Sequence, residues 1–308
     1  MNRLEQIIRS ENLSGKRIIV TGVGYKPVNR VFNDLITNEP CHDEIIIDDI
    51  PYKINIGAAT AAVLAQNGAI VHMVSRTKNK LEDIKNALSE FIDPAKLEYS
   101  AVDVLDNNSV KEFVDSLAKD KPIYWCQSIG LGAGAYKVPD DCPYLKLEDI
   151  PFELIENEAR IVLLGTHTLM QNLLPVFKKQ NKEFNTETRV AIITSMSAIR
   201  SYPFGGTHCP AKGAISRYAN AAMLELWKEK IYVSDVRPGM VDTGFYDNQK
   251  VIENHYEISD AFNGIHREHF VVAPPISVAE GVAYVLSTSA HITSFNLVAR
   301  GQFPNEGS

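Results

Sequence analysis

Short apolar runs rich in β-branched residues alternate with helical patterns along most of this chain. Such runs are typical of strands that are buried on both faces of a parallel sheet. Between them apolar residues recur every three or four positions, as in the stretch 208–226. The alternation predicts an α/β fold, a doubly wound parallel sheet with helices on both faces. The predicted strands cover residues 18–24, 69–76, 97–104, 122–130, 189–195, 233–237 and 295–299.

Length and composition agree with a single domain over residues 1–308. A chain of 308 residues with 45% hydrophobic residues can bury a full core in one α/β domain. No apolar stretch is long enough for a transmembrane helix, and residues 1–15 are polar rather than signal-like. The cysteines form no Cys-x-x-Cys pair, which predicts reduced thiols in the cytoplasm; they are Cys41, Cys126, Cys142 and Cys209.

Charge and histidine spacing restrict the partners. A formal net charge of −7, with no basic patch interleaved with aromatic residues, argues against nucleic acid as a partner. His266 and His269 lie three residues apart with no clear third ligand, so no metal site is predicted. Cys209 and His208 are not predicted to act as a nucleophilic pair, because adjacent helical residues point about 100° apart. The remaining expectation is a small-molecule substrate.

Three chemically active side chains surround the strand 189–195 and the helix 208–226. Ser195 ends the strand, His208 opens the helix, and Lys212 lies one turn later on the same face. A hydroxyl, a proton-carrying group and an ammonium in this layout can polarise a carbonyl and protonate its oxygen. Imidazole suits the proton-carrying role near neutral pH, because its ordinary pKa is about 6.5.

A split glycine-rich segment lies near the N-terminus. The strand 18–24 runs into Gly22 and Gly24, and an alanine-rich helix that ends in a glycine covers 55–69. A glycine loop followed by a helix N-terminus lets backbone amides approach a pyrophosphate. The intervening segment 25–54, about thirty residues, far exceeds an ordinary βα connection. Its end, 44–56, is predicted as a hairpin around an Asp-Asp turn. The segment is either a flap or subunit contact, or a tolerated surface excursion.

These motifs, in this order, resemble those of the short-chain dehydrogenase/reductase family over almost the whole chain. The resemblance implies a Rossmann-type fold that binds NAD(P) and an oxidoreductase that moves hydride between nicotinamide and a carbonyl or alcohol carbon. Ser195 matches the family serine that binds the substrate oxygen, and Lys212 matches the lysine that binds the nicotinamide ribose. His208 occupies the place of the catalytic tyrosine, so the resemblance implies that His208 carries the proton.

The resemblance also implies a set of cofactor-binding residues. Asn55 takes the place of the middle glycine of the loop, and asparagine tolerates left-handed backbone torsions better than most residues. The family also carries an asparagine in a helix before the strand 189–195. Counting forward from Asp149 places it at Asn157, and counting back from Pro175 places it at Val162. The implied cofactor contacts are Gly22, Gly24, Asn55, Ile56, Gly57, Asp103, Val104, Gly130, Lys212, Pro238, Gly239, Val241 and Thr243.

The end of the strand 69–76 bears on the choice of cofactor. An acidic residue there would bind the ribose hydroxyls of NAD, whereas Ser75 and Arg76 offer a hydroxyl and a guanidinium suited to a 2′-phosphate. NADP(H) is therefore the preferred cofactor, with NAD(H) as the alternative. The other interpretation of Arg76 is an exposed arginine that starts the next helix.

Other functions remain open at this point. One is an NADP-binding protein with impaired catalysis that acts as a sensor or an assembly partner, and another is a lyase or isomerase on the same fold. The segment 240–275 lies where the family builds its substrate loop, and its aromatic residues predict either a pocket lining or ordinary packing. The resemblance also implies a homodimer or a homotetramer.

Overall fold

The computed structural model describes residues 13–130, 142–261 and 271–302. Its main sheet has seven strands, and every pair of neighbours runs parallel. The order across the sheet is β10-β9-β8-β7-β1-β5-β6, so the direction of winding reverses at β1. The strands of this sheet are β1 (Arg17–Thr21), β5 (Ile70–Ser75), β6 (Leu97–Ala101), β7 (Ile123–Gln127), β8 (Thr188–Ile193), β9 (Ile231–Pro238) and β10 (Ser294–Leu297).

Helices cover both faces of the sheet. α1 (Ile56–Gln66), α2 (Lys78–Leu88) and α8 (Pro275–Ser287) pack on one face, and α3 (Asn107–Ser116), α5 (Gly165–Glu183) and α6 (His208–Leu226) pack on the other. α4 (Phe152–Ala159) joins α5 through one π-helical turn at Arg160–Leu164, and α7 (Gln249–Ala261) follows β9. This arrangement confirms the predicted doubly wound fold.

The two cores follow from the alternation of side chains along buried strands. In β1, Ile18 and Val20 face the layer of α1, α2 and α8, while Ile19 faces the opposite layer. Trp125 of β7 is fully buried among α3, α5 and α6. Alanines make up most of the buried face of α1, which lets this helix lie close to the sheet and to α8. Burial on both faces fixes the strands whose ends build the site.

Residues 25–54 form a small sheet of their own. β2 (Tyr25–Pro27), β3 (Glu44–Ile47) and β4 (Ile50–Ile54) are antiparallel in the order β2-β4-β3. The predicted Asp-Asp turn is confirmed, because Asp48 and Asp49 both have positive φ values, as a two-residue hairpin turn requires. The second strand of the predicted hairpin ends at Ile54 rather than at 56, because Ile56 already belongs to α1.

Several sequence predictions fall on residues outside the described ranges. They include His266, His269, Phe262 and Phe270, and most of residues 1–15. Within the described residues, no group of three or more histidine, cysteine or acidic side chains could hold a metal ion. No helix of the described chain has the length and apolarity needed to cross a membrane. The four cysteines are buried, and none of them forms a disulfide bond with another described residue.

Candidate active site

A cavity of about 660 Å³ opens at the carboxyl ends of the parallel strands. Ligands of open α/β sheets bind at this edge, beside the strand where the direction of winding reverses. The cavity extends from the end of β5 to the segment after β9. Its two ends differ chemically. Glycines and an arginine line one end, and Ser195, His208 and Lys212 line the other.

Gly22 permits a close backbone contact at the first end. Its φ is +84°, and a Cβ atom on it would lie 2.2 Å from the carbonyl oxygen of Ser128. A Cβ atom on Gly57 would lie 2.6 Å from the carbonyl oxygen of Gly22. Gly57 therefore serves the close packing of α1 on β1 and does not line the cavity, whereas Gly22, Gly24, Asn55 and Ile56 do.

Asn55 closes the glycine loop across the long segment between its halves. Its side-chain oxygen accepts hydrogen bonds from the backbone N–H groups of Gly24, at 3.1 Å, and of Ala58, at 2.9 Å. Its amide group donates to the carbonyl oxygen of Gly22 at 2.8 Å. The side chain thus caps α1 and joins it to both glycines. The expected reason for asparagine was wrong, because its φ of −88° is not left-handed.

The strand ends β5 and β6 supply the outer part of this end. Ser75 and the exposed Arg76 line the cavity, and so do Asp103 and Val104. Lys80 also lines it, with its ammonium 5.1 Å above the ring of Tyr25, which belongs to β2. Two cationic side chains therefore lie at the point where β5 ends.

A buried carboxylate fixes the elements that carry Ser195 and Lys212. Asp235 of β9 accepts hydrogen bonds from the hydroxyls of Thr194 and Ser216, and from the guanidinium of Arg237. Thr194 precedes Ser195, and Ser216 lies one turn after Lys212 on α6. The network therefore holds the end of β8 and the first turns of α6 in one arrangement.

Lys212 is buried at the base of the cavity. Its ammonium lies 3.5 Å from the carbonyl oxygen of Ile193. Burial lowers the pKa of this lysine below its usual range, and the carboxylates of Glu158 and Asp235 partly oppose that effect. The hydroxyl of Ser195 accepts a hydrogen bond from the N–H of Ser197 at 3.1 Å, which orients it at the start of a short 3₁₀ turn.

Glu158 is an acidic residue of the site that the sequence did not reveal. It lies on α4, its side chain is 2% exposed, and it lines the cavity. Its Oε1 atom is 3.2 Å from Nδ1 of His208. Of the two positions considered for a helix asparagine, Asn157 is exposed outside the cavity lining and Val162 is buried in the core. The sequence did contain one indication of this residue. Glu158 comes four residues after Leu154 and so lies on the same, buried face of α4.

Aromatic side chains form the wall beyond His208. The rings of Tyr144 and Tyr202 lie 6.0 Å apart, and that of Phe245 lies 5.8 Å from Tyr144. Tyr246 packs edge-on against Phe245 at 5.1 Å. Burial raises the pKa of Tyr144 and of Tyr202 well above the usual range, so these phenols keep their protons. The sequence offered the aromatic residues of segment 240–275 as a pocket lining, and two of them, Phe245 and Tyr246, do line the cavity.

The end of β9 and the segment after it line the cavity. Pro238, Gly239, Val241 and Thr243 all line it. The side-chain oxygen of Gln302 accepts a hydrogen bond from the N–H of Met240 at 2.9 Å, which ties this segment to residues near the C-terminus.

Comparisons with known proteins agree with this geometry. A family model described as short chain dehydrogenase matches residues 54–253. The chain belongs to the short-chain dehydrogenase family. It is accordingly a member of a family of oxidoreductases.

Individual relatives of the short-chain dehydrogenase family are distant. The chain is 24% identical over 240 residues to an NADP-dependent 3-hydroxy acid dehydrogenase of Schizosaccharomyces pombe, an alignment that covers 77% of this chain and 85% of the relative. Among solved structures, an alcohol dehydrogenase from Thermococcus sibiricus with 5-hydroxy-NADP has a TM-score of 0.65 and 20% identity, over 94% of this chain and 99% of that one. A 3-ketoacyl-(acyl-carrier-protein) reductase from Brucella melitensis with NADH has a TM-score of 0.65 and 19% identity, over 93% and 98%. These structures support the fold.

The fold brings nearly all of the predicted site residues to one cavity. The exception is Gly57, which packs behind the glycine loop. Gly130 also lines the cavity. The sequence missed Glu158 and Tyr202, because neither belongs to a motif with fixed spacing.

Proposed function

We propose that this protein is an NADP-dependent oxidoreductase that transfers hydride between nicotinamide and a carbonyl or alcohol carbon of a small molecule. The observation that carries the proposal is the presence of Ser195, His208 and Lys212 on the wall of one cavity that also contains a glycine loop. The relative from S. pombe carries NADP dependence in its name, which favours the same cofactor here.

The residues present fit a dinucleotide. Gly22 and Gly24 line the cavity without a side chain, so a ligand can approach the backbone of the loop closely. α1 begins at Ile56, and the first N–H groups of a helix have no partner within it, which suits a pyrophosphate. Arg76 and Lys80 at the end of β5 offer positive charge for a 2′-phosphate. NADP(H) is the cofactor that this charge favours, and NAD(H) is the alternative.

Bound nicotinamide would supply hydride to the substrate carbon, or accept it in the reverse direction. The hydroxyl of Ser195 would donate a hydrogen bond to the substrate oxygen and hold it in place. The imidazole of His208 would give its proton to that oxygen during reduction and take it back during oxidation. The ammonium of Lys212 would hold the nicotinamide ribose and add positive charge beneath the reacting oxygen.

Tyr202 is the other group in this wall that could carry a proton. Its phenol is hydrogen-bonded to Tyr144, and burial raises its pKa well above the usual range. A group that holds its proton so firmly is a poor acid near neutral pH. His208, one-third exposed and facing the same cavity, is therefore the better candidate.

The experiment that tests the proposal is a parallel titration of the purified protein with NADPH and NADH, followed by nicotinamide fluorescence. We expect tight binding that is selective for NADPH, and then turnover in a screen of small carbonyl compounds. Selective binding without turnover of any compound would favour the alternative of an NADP-binding sensor or assembly partner. Absence of binding to both dinucleotides would contradict the oxidoreductase proposal.

The assembly and the compartment are part of the same proposal. We expect a homodimer or a homotetramer that works in the cytoplasm without a nucleic-acid or membrane partner. Light scattering coupled to size-exclusion chromatography measures the mass in solution, and a monomer at micromolar concentration would contradict the expected assembly.

A further inference from the structure

Glu158 has an unusual position for an acidic side chain. α4 is exposed along most of its length, and its two buried residues are Leu154 and Glu158. Carboxylates are almost never fully buried unless they are paired, because the loss of hydration is costly. A buried carboxylate in the wall of a cavity is therefore a candidate for a functional role.

The partners of this carboxylate lie on the side of the proposed proton carrier. Oε1 is 3.2 Å from Nδ1 of His208, whereas Oε2 is buried and has no hydrogen-bond partner among the described residues. The same carboxylate raises the pKa of Lys212 against the effect of burial. Glu158 thus contacts His208 and acts electrostatically on Lys212.

The backbone at this point is also irregular. The π-helical turn Arg160–Leu164 begins two residues after Glu158 and joins α4 to α5. Single π-turns inside helices change which residues face inward, and they occur often at functional sites. The turn allows α4 to direct Glu158 into the cavity while α5 keeps Leu169 and Leu173 in the core.

We propose, resting on the proposed function, that Glu158 is a positioning residue that holds the imidazole of His208 in the Nδ1–H tautomer. The Nδ1–H group donates a hydrogen bond to Oε1 of Glu158. Nε2 is then the atom that exchanges a proton with the substrate oxygen. In the oxidative direction Nε2 takes the alcohol proton, and the carboxylate stabilises the positive charge that develops on the ring. In the reductive direction the imidazolium returns that proton from Nε2 to the substrate oxygen, while bound nicotinamide would give hydride to the substrate carbon. No other side chain gains or loses a proton in this step.

The contact with Glu158 helps to orient the imidazole of His208, whose side chain is shorter than that of the tyrosine it replaces. A buried carboxylate limits the orientation of the ring and sets which nitrogen is free, and both effects reduce the cost of aligning the proton with the substrate oxygen.

The test uses two variants of Glu158 and a matched control on the same helix. Glu158→Leu removes the acceptor, and Glu158→Gln keeps an acceptor oxygen but removes the charge. Glu156→Gln is the control, because Glu156 is exposed and pairs at 3.7 Å with Arg160. Replacing a buried charge by a side chain of similar volume is often tolerated in folding, and the glutamine variant keeps the test valid if the leucine variant does not fold.

The first readout is the tautomer of His208, from ¹⁵N spectra of protein labelled in its eight histidines. Spectra are recorded well above the ordinary imidazole pKa of about 6.5, and a His208→Gln sample assigns the signal. We expect the Nδ1–H form in the wild-type protein, in the glutamine variant and in the control, and a shift to the Nε2–H form in the leucine variant. An unchanged tautomer in Glu158→Leu would overturn the inference.

The second readout separates this inference from the proposed function. We expect kcat to fall about 100-fold or more in Glu158→Leu and less in Glu158→Gln, with NADPH affinity unchanged in both. Equal kcat values in wild type and Glu158→Leu would also overturn the inference. A wild-type protein that shows the Nδ1–H form but turns over no carbonyl compound contradicts the proposed function and leaves the tautomer assignment standing.

Discussion

The ammonium of Lys53 lies 2.8 Å from Oδ1 of Asp242, and both side chains are fully buried. Lys53 belongs to β4 of the small sheet, and Asp242 lies between two residues that line the cavity, Val241 and Thr243. The same ammonium is 2.7 Å from Oδ1 of Asp247. The segment 25–54 is therefore joined by buried charge to a loop that lines the cavity, which a simple surface excursion would not require.

Loss of this ammonium should destabilise the protein. Lys53→Met leaves the carboxylates of Asp242 and Asp247 buried without their cation, and breaking a buried ion pair typically costs about 3 to 5 kcal/mol. Urea unfolding measures the change in the free energy of unfolding. The control is Lys111→Met on the exposed face of α3, which should change stability little. An equal and small effect in both variants would show that the buried cluster contributes little.

The same variant should acquire a characteristic pH dependence. Burial already raises the pKa of Asp242, and Lys53 opposes that effect, so the pKa rises further once the lysine is gone. A carboxyl with a raised pKa in the folded state binds protons more readily there than when unfolded. Its contribution to stability is therefore full below the unfolded pKa of about 3.9 and is lost as pH rises through the folded pKa. The loss in the free energy of unfolding caused by Lys53→Met should be smaller near pH 5 than at pH 7. A loss that does not depend on pH would contradict this account.

Much of the fold could be predicted from the sequence, because strands that are buried on both faces consist of runs of apolar residues. β8 and α6 follow the predicted ranges closely, since their patterns are long and end in polar residues. The pairing of segment 25–54 with the loop after β9 could not be predicted. It depends on Lys53 and Asp242, which are far apart in sequence and which the apolar pattern does not mark.

The candidate site shows the same limit. Ser195 and Lys212 lie at fixed spacings around a strand and a helix, so pattern alone located them. Asn55 lines the cavity as part of the glycine loop, but the expected left-handed backbone was wrong, because its side chain makes three hydrogen bonds in an extended backbone conformation. Glu158 contacts His208, which is 50 residues away in sequence, and only the packing of α4 against α6 reveals this contact.

The glycine loop should not tolerate a side chain at Gly22. Alanine there must adopt a positive φ, at a cost of about 1 to 3 kcal/mol, and its Cβ atom would also press on the carbonyl oxygen of Ser128. We expect Gly22→Ala to weaken NADPH binding at least tenfold, as measured by calorimetry. Gly213→Ala is the matched substitution, because Gly213 lies inside α6 and an added Cβ atom would make only an ordinary contact, 3.9 Å, with the carbonyl oxygen of Ala198. This variant should gain about 0.5 to 1 kcal/mol in the free energy of unfolding. Normal NADPH affinity in Gly22→Ala would contradict the assigned role of the loop.

Arg76 should determine the preference between cofactors. Its guanidinium is exposed at the end of β5, and a charge-assisted contact with a phosphate is worth about 1.5 to 3 kcal/mol. We expect Arg76→Ala to weaken NADPH binding about 10- to 100-fold and to leave NADH binding nearly unchanged. Fluorescence titration with both dinucleotides at two salt concentrations checks the result, since a phosphate contact weakens with salt. Equal losses for the two dinucleotides would mean that Arg76 does not recognise the 2′-phosphate.

His208 should be essential for turnover, and the phenol of Tyr202 should not. Removal of a general acid or base typically lowers the rate by about 10²- to 10⁴-fold, so His208→Ala should lose turnover to that extent and keep its NADPH affinity. Tyr202→Phe keeps the ring packed against Tyr144 and should retain turnover within about threefold, since it loses no proton-transfer group. Steady-state kinetics on both variants distinguish the two side chains. Full activity of His208→Ala together with loss in Tyr202→Phe would reverse the assignment.

His72 should make the fold sensitive to mild acid. It lies on β5 with its Nε2 atom 2.8 Å from the hydroxyl of Ser100, and its ring packs edge-on against Phe113. Burial lowers the pKa of His72 more than the nearby carboxylate of Glu98 raises it, and Arg17 lowers it further. The folded state therefore holds this imidazole neutral at a pH where the unfolded chain has begun to bind a proton.

The sign follows from that difference in proton binding. Stability from His72 is full above the unfolded pKa of about 6.5 and is lost as pH falls below it towards the folded pKa, with a slope of at most about 1.4 kcal/mol per pH unit. The free energy of unfolding should fall more steeply between pH 7 and pH 5 in the wild type than in His72→Gln. His167→Gln, at an exposed position of α5, controls for the general effect of removing an imidazole. Parallel pH profiles for wild type and His72→Gln would mean that Glu98 stabilises the charged ring enough to cancel the effect of burial.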